Sequence, residues 1–198
     1  MRPDTSTGTR RHWRVLGATL IVVCSLCVTA CTREATRLSA STVASATEAP
    51  LFASDEEALN AARATYEGFL AASGAVLEEN GAYPERIDEY AIADVADDEK
   101  KGFATLAATG SRVIGRTVLD IAVLQSYRPM DSDGQDVVSI YACVNVSGVS
   151  VLDSDGQSIV APDRPDKTAF EVSFDRSDAH PTKLRISSNL IWPGVGVC

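Results

Sequence analysis

The stretch Val137-Val138-Ser139-Ile140-Tyr141-Ala142-Cys143-Val144-Asn145-Val146 alternates with a period of two. Val138, Ile140, Ala142, Val144 and Val146 fall on one side, and Ser139, Tyr141, Cys143 and Asn145 on the other. Successive side chains of a strand point to opposite faces, so this run predicts a strand with one buried face. Two later runs continue the theme. Phe170, Val172 and Phe174 alternate within 169–174, and Leu184, Ile186, Leu190 and Trp192 are expected to share a face within 183–192. Upstream, 111–127 is rich in Val, Ile and Leu, with Thr117, Leu119, Ile121 and Val123 expected on one side. Asp133-Gly134, Asp155-Gly156 and His180-Pro181 supply turns. No crossover helix separates the strands, so the expectation is an antiparallel meander.

Before the strands the period is helical. Ser54-Asp55-Glu56-Glu57 has the form of a capping box. Leu59, Ala62, Tyr66, Phe69, Leu70, Val76 and Leu77 then follow as one apolar stripe on a long helix, and Asn80-Gly81 marks its stop. Pro84 to Tyr90 predicts a short second helix. A third is expected over 97–109, with Asp97, Asp98 and Glu99 in its first turn and Gly110 at its end. Helices first and strands later is an α+β arrangement, with N-terminal helices packed on a curved antiparallel sheet.

The N-terminus has a different composition. Arg2, Arg10, Arg11 and Arg14 precede an apolar run of 14 residues, Val15 to Val28, and Thr29-Ala30-Cys31 follows. A membrane-spanning helix needs roughly 20 apolar residues, so the run suits a signal peptide better than an anchor. The arrangement resembles the signal peptide and lipobox of a bacterial lipoprotein. That resemblance implies removal of residues 1–30 and lipidation of Cys31, placing the chain on the extracytoplasmic face of the cell membrane. The Arg10-Arg11 pair leaves Sec and twin-arginine export both open. Residues 31–53, rich in Ala, Ser and Thr, read as a tether, and 54–198 as one domain.

Charge and cysteine content follow from that division. The chain has 18 basic and 27 acidic residues; loss of the leader leaves 14 and 26, a net charge of −12. Such a surface repels nucleic acid and anionic headgroups, so membrane contact is expected through the lipid on Cys31 alone. Of five cysteines, Cys24 and Cys27 leave with the leader and Cys31 carries lipid. Cys143 and Cys198 remain as an even pair in an oxidising compartment and are expected to form a disulfide, the alternative being two buried thiols.

Three helices followed by a long antiparallel sheet resemble the nuclear-transport-factor-2-like fold, which includes SnoaL-like and cystatin-like domains. More narrowly, the chain is similar to actinobacterial lipoproteins of that shape. The residues that carry this are Ala64-Thr65-Tyr66, the segment Tyr141 to Val149, and the ending Trp192-Pro193-Gly194 to Cys198. The resemblance implies a cone of sheet around a helix and a location, without an activity.

Motifs for chemistry are sparse. His180 is the only histidine past the leader, and no G-x-S-x-G elbow supports a Ser-His-Asp triad. There is no phosphate loop or dinucleotide fingerprint, and no cofactor is expected. Asp131-Ser132-Asp133-Gly134-Gln135 and Asp153-Ser154-Asp155-Gly156-Gln157 share one pattern. An EF-hand frame on them would start at Pro129 or Val151, which offer no side-chain oxygen, so they read as hairpin turns, with weak calcium binding left open and no metal site assigned. Relatives of the fold include isomerase and dehydratase enzymes that use a pocket carboxylate and a tyrosine. Tyr66, Asp120, Tyr141 and Trp192 are therefore candidate pocket residues. The expected function is non-enzymatic binding of a small apolar ligand in the cone or of an envelope protein at the sheet. The alternatives are an interaction module with a filled cone, and an isomerase-type enzyme.

Overall fold

The computed structural model describes residues 50–129, 134–180 and 182–198. The leader, Cys31 and most of the tether lie outside the described residues, as do Asp131 to Asp133 and Pro181. Folding begins earlier than the expected boundary after residue 53. Phe52 is buried against Tyr127, with ring centroids 5.8 Å apart, and its backbone N–H donates to the Tyr127 hydroxyl at 2.7 Å. The Ala/Ser/Thr composition extended the tether over a phenylalanine that belongs to the core.

Helix α1 spans Asp55–Glu78. The Ser54 hydroxyl accepts from the Glu57 N–H at 3.2 Å, as the capping box predicts. Glu57 reaches back one residue further than the simple box, accepting from the Ala53 N–H at 2.8 Å. Asn80 and Gly81 both take the left-handed conformation that ends the helix. Pro84–Glu89 forms a 3-10 helix. Helix α2 spans Ala93–Ala108 and so starts four residues before the expected Asp97. Its start is set by tertiary pairing: the Ile92 N–H donates to the Ile186 carbonyl and the Ala96 N–H to the Ile92 carbonyl, both at 2.9 Å. No cap chemistry at Ile92 announces this in the sequence.

The strands are β1 (Arg112–Ile114), β2 (Val118–Tyr127), β3 (Val138–Asn145), β4 (Ser150–Leu152), β5 (Lys167–Arg176) and β6 (Leu184–Ile191). The main sheet has the order β2-β3-β5-β6, with every neighbour antiparallel. β1 pairs with β4 in a separate two-stranded ribbon. The single apolar run read over 111–127 is thus two strands. Gly115 divides them with a φ of +89°, and a Cβ there would meet the Gly148 carbonyl oxygen at 1.9 Å. The Asp155-Gly156 turn is a tight loop after β4, in which the Asp153 carboxylate accepts from the N–H groups of Asp155 and Gln157.

α1 lies against β2, β3 and β6 and fills one face of the main sheet. Ala58, Ala62, Tyr66, Phe69 and Val76 of the helix are buried with Ile140, Ala142, Val172, Phe174 and Ile186 of the sheet. Each large side chain removed from water in this way contributes roughly 1.5–3 kcal/mol. Helices on one face of an antiparallel sheet make the fold α+β, as the order of sequence periods implies.

Candidate functional site

β3 keeps the strict alternation of its sequence. Val138, Ile140, Ala142 and Val144 face the helices, while Ser139, Tyr141, Cys143 and Asn145 face away. The neighbouring strands do not keep theirs. In β2, Leu119 pairs with Val144 but Ile121 pairs with Cys143, so Asp120 is an extra, bulged residue. A second irregularity places Gln125 between Leu124 and Ser126. The first bulge leaves Leu119 and Ala122 inside and turns Ile121 and Val123 outward, at 42% and 49% exposure. The expectation that Leu119, Ile121 and Val123 share a face is therefore corrected. β6 carries the same device. Phe174 pairs with Ile186 and Ser173 with Ser188, so Ser187 is extra. Leu184 and Ile186 stay in the core, whereas Leu190 is turned to the opposite face, at 63% exposure.

The outward face is consequently ordered in rows across the strands. Val123, Tyr141, Glu171 and Leu190 pair in succession. Beside them run Ile121, Cys143 and Ala169, continued by Trp192, whose N–H donates to the Ala169 carbonyl at 2.8 Å. The Trp192 indole reaches over β5 to the Tyr141 ring, with centroids 4.7 Å apart. On one flank Ser126, Ser139, Ser173 and Ser188 pair in succession across all four strands. On the other, Asp120 forms an ion pair with Lys167 at 2.7 Å and accepts from the Asn145 amide at 3.1 Å. The hydrogen bond from Lys167 holds the Asp120 carboxyl below its ordinary range, with Asn145 adding to the effect. The Gln125 amide donates to both the Tyr141 hydroxyl and Glu171, each at 2.8 Å. Both bulged residues of β2 thus place polar side chains on this face.

The four candidate pocket residues do not converge. Asp120, Tyr141 and Trp192 share the outward face, and Tyr66 lies on the other side of the sheet. Tyr66 is 1% exposed, stacks on Phe69 with centroids 5.9 Å apart, and donates to Asn189 Oδ1 at 3.1 Å. Burial pushes its phenol well above the ordinary value; the Asn189 bond opposes this and the nearby Glu99 charge adds to it. Trp192, a candidate pocket residue expected on the same face as Leu184 and Ile186, lies on the outward face because the β6 bulge turns the end of that strand outward. Cys143 and Cys198 are disulfide-bonded, with Cα atoms 5.2 Å apart, as the cysteine content predicts.

Glu99 was legible only as a first-turn helix acid. In the structure it is half-buried beside a shallow groove that Asp98, Ser187 and Asn189 also line. Burial raises its carboxyl pKa above the ordinary range, and the Asp98 charge raises it further. A mainly apolar groove of about 240 Å³ lies between Leu70 and Gly74 of α1 and Arg116 to Leu119, and is open to solvent. His180 lines another open recess with Asp88, Lys183 and Arg185. Among the described residues no group of three or more His, Cys, Asp or Glu is placed to hold a metal ion, and no helix is long and apolar enough to cross a membrane.

No family model matches the sequence, and no curated protein matches it. Solved structures share part of its shape. The intermembrane space region of the chloroplast protein ARC6 is 11% identical, with 67% of this chain and 95% of that one covered at a TM-score of 0.48. Aln2 from a Streptomyces species is 16% identical, covering 65% and 87% at 0.40. A de novo designed β-sheet protein is 11% identical, covering 67% and 90% at 0.33. Likeness at this level carries no statement about activity.

Proposed function

We propose that the domain is a non-enzymatic interaction module with a filled interior, which holds a protein partner on the outward face of its sheet. In this reading the sheet and helices form a nuclear-transport-factor-2-like cone, and lipid on Cys31 keeps the module on the extracytoplasmic side of the membrane. One observation carries the choice. The space between α1 and the sheet, where a cone would hold a ligand, is occupied by Tyr66, Phe69, Ile140 and Phe174, each at most 3% exposed. Of the large apolar side chains left in water, Ile121, Val123 and Leu190 share the outward face with Tyr141 and Trp192. Aromatic and aliphatic side chains on a flat surface with a polar rim are the composition of a protein contact.

The test is site-specific photo-cross-linking in the producing cell. Cross-linkers at Val123 and Leu190 are expected to trap the same envelope protein, and one at Asn60, exposed on α1, is expected to trap none. The adduct from Val123 should disappear when Leu190 is replaced by Ser. Equal trapping from Asn60, or none from the sheet, would overturn the reading. Release of a stoichiometric small molecule in native mass spectrometry would favour a ligand carrier. Lipidation is tested separately by intact mass: membrane-extracted protein should begin at Cys31 with lipid attached.

A further inference from the structure

We infer that residues 193–198 form a strap over the part of the outward face around Cys143 and Ala169, and that the Cys143–Cys198 disulfide is a latch whose opening uncovers that part. Cys143 is fully buried although it sits on the side of the sheet away from the helices. The segment bonded to it is 193–198, which follows β6. β6 is at one edge of the sheet, with β5 between it and β3. Chain that leaves β6 at Trp192 and ends bonded to Cys143 must therefore cross β5. The β5 residue in that row is Ala169, a small side chain between Cys143 and Trp192.

Little else holds the strap. The Trp192 N–H bond to Ala169 is the last hydrogen bond from the chain to the domain among the described residues. Pro193 has no N–H to give, and Val195 is 98% exposed. Gly194 lies close against the Trp192 indole, leaving no room for a Cβ, and Val197 is half-buried. Ordering backbone costs roughly 1–2 kcal/mol per residue. The tail has two glycines, an exposed Val195, a half-buried Val197 and, among the described residues, no hydrogen bond to the domain, so contacts recover only part of that cost and the covalent bond supplies most of the hold.

The two sulfurs differ in access: Cys198 is exposed and Cys143 is not. A dithiol reductant opens the latch in two steps. Its thiolate attacks the Cys198 sulfur, the S–S bond breaks, and the Cys143 sulfur leaves as a thiolate that takes a proton from water. The second thiol of the reductant then displaces Cys198, which leaves protonated, and the reductant becomes the disulfide. Two electrons and two protons pass to the protein. Release of the strap bares Cys143, Ala169 and the Tyr141–Trp192 pair, enlarging the face proposed above for a partner. The inference rests on that reading for its purpose, but strap opening is measured without any partner, so the two fail separately.

The experiment compares the oxidised chain, the same chain in dithiothreitol, and a Cys198→Ser variant. Peptide-level alkylation of Cys143 is followed by mass spectrometry, with thermal melts as the control for folding. The expected result is alkylation of Cys143 at the rate of a surface thiol, in both the reduced and variant proteins, with the cooperative melt kept. A Cys143 that stays unreactive would overturn the latch. Loss of the cooperative melt on reduction would also overturn it, because the bond would then be a staple of the fold.

Discussion

The two faces of the β2-β3-β5-β6 sheet are built from alternate residues of the same strands, yet they differ in kind. The inward face is a continuous apolar layer in which Ile140, Val172, Phe174 and Ile186 have no exposure. The outward face is a set of rows: aromatic and aliphatic side chains in the middle, four serines on one flank and the Asp120–Lys167 pair on the other. The inward face tolerates few polar atoms, and the tyrosine it does bury is hydrogen-bonded. The outward face carries polar groups freely, and its bulged residues Asp120 and Gln125 project there. One face does the folding and leaves the other free to carry a site.

Substitutions should separate the faces. Phe174→Ala removes a fully buried ring from the inward layer and is expected to cost about 3–5 kcal/mol, read as a lower urea midpoint. Tyr66→Phe keeps the ring and leaves Asn189 Oδ1 without its donor, for a loss of about 1 kcal/mol. The parent protein should also weaken in alkali. The folded phenol has a raised pKa, so its stabilisation is complete below the ordinary value of 10.0 and is lost as the pH climbs through the folded value. Tyr66→Phe should remove that alkaline loss from the melting profile.

Glu99→Gln probes the margin between the faces. A folded carboxyl whose pKa is raised favours stability at and below the ordinary value of 4.5, and that contribution disappears as the pH rises through the folded value. The glutamine variant should therefore melt higher than the parent at pH 7, with the difference closing near pH 4.5. A constant difference across that window would show that Glu99 is solvated. Leu190→Ser, on the outward face, should leave stability within about 0.5 kcal/mol of the parent while abolishing cross-linking from Val123. A large loss of stability there would mean that this face also supports the fold.

Much of this comparison is readable in advance at β3 and very little at β2 and β6. Strict alternation around Ile140 and Cys143 assigns both faces of β3, because pleating fixes the period at two. A bulge adds one residue without a composition that marks it, so alternation carried across Asp120 or Ser187 puts Ile121 and Leu190 on the wrong side. The start of α2 is hidden for a similar reason, since it depends on Ile92 finding the Ile186 carbonyl on the last strand of the sheet.

By itself the sequence determined the class of the fold, the cap of α1 at Ser54, the inward layer of β3 and the pairing of Cys143 with Cys198. These rest on local periods, side-chain chemistry and cysteine parity. Only the tertiary structure decided that Tyr66 lies apart from Asp120, Tyr141 and Trp192, and that the last residues cross β5. Those outcomes depend on register between strands distant in the chain, where one extra residue reverses every side chain beyond it.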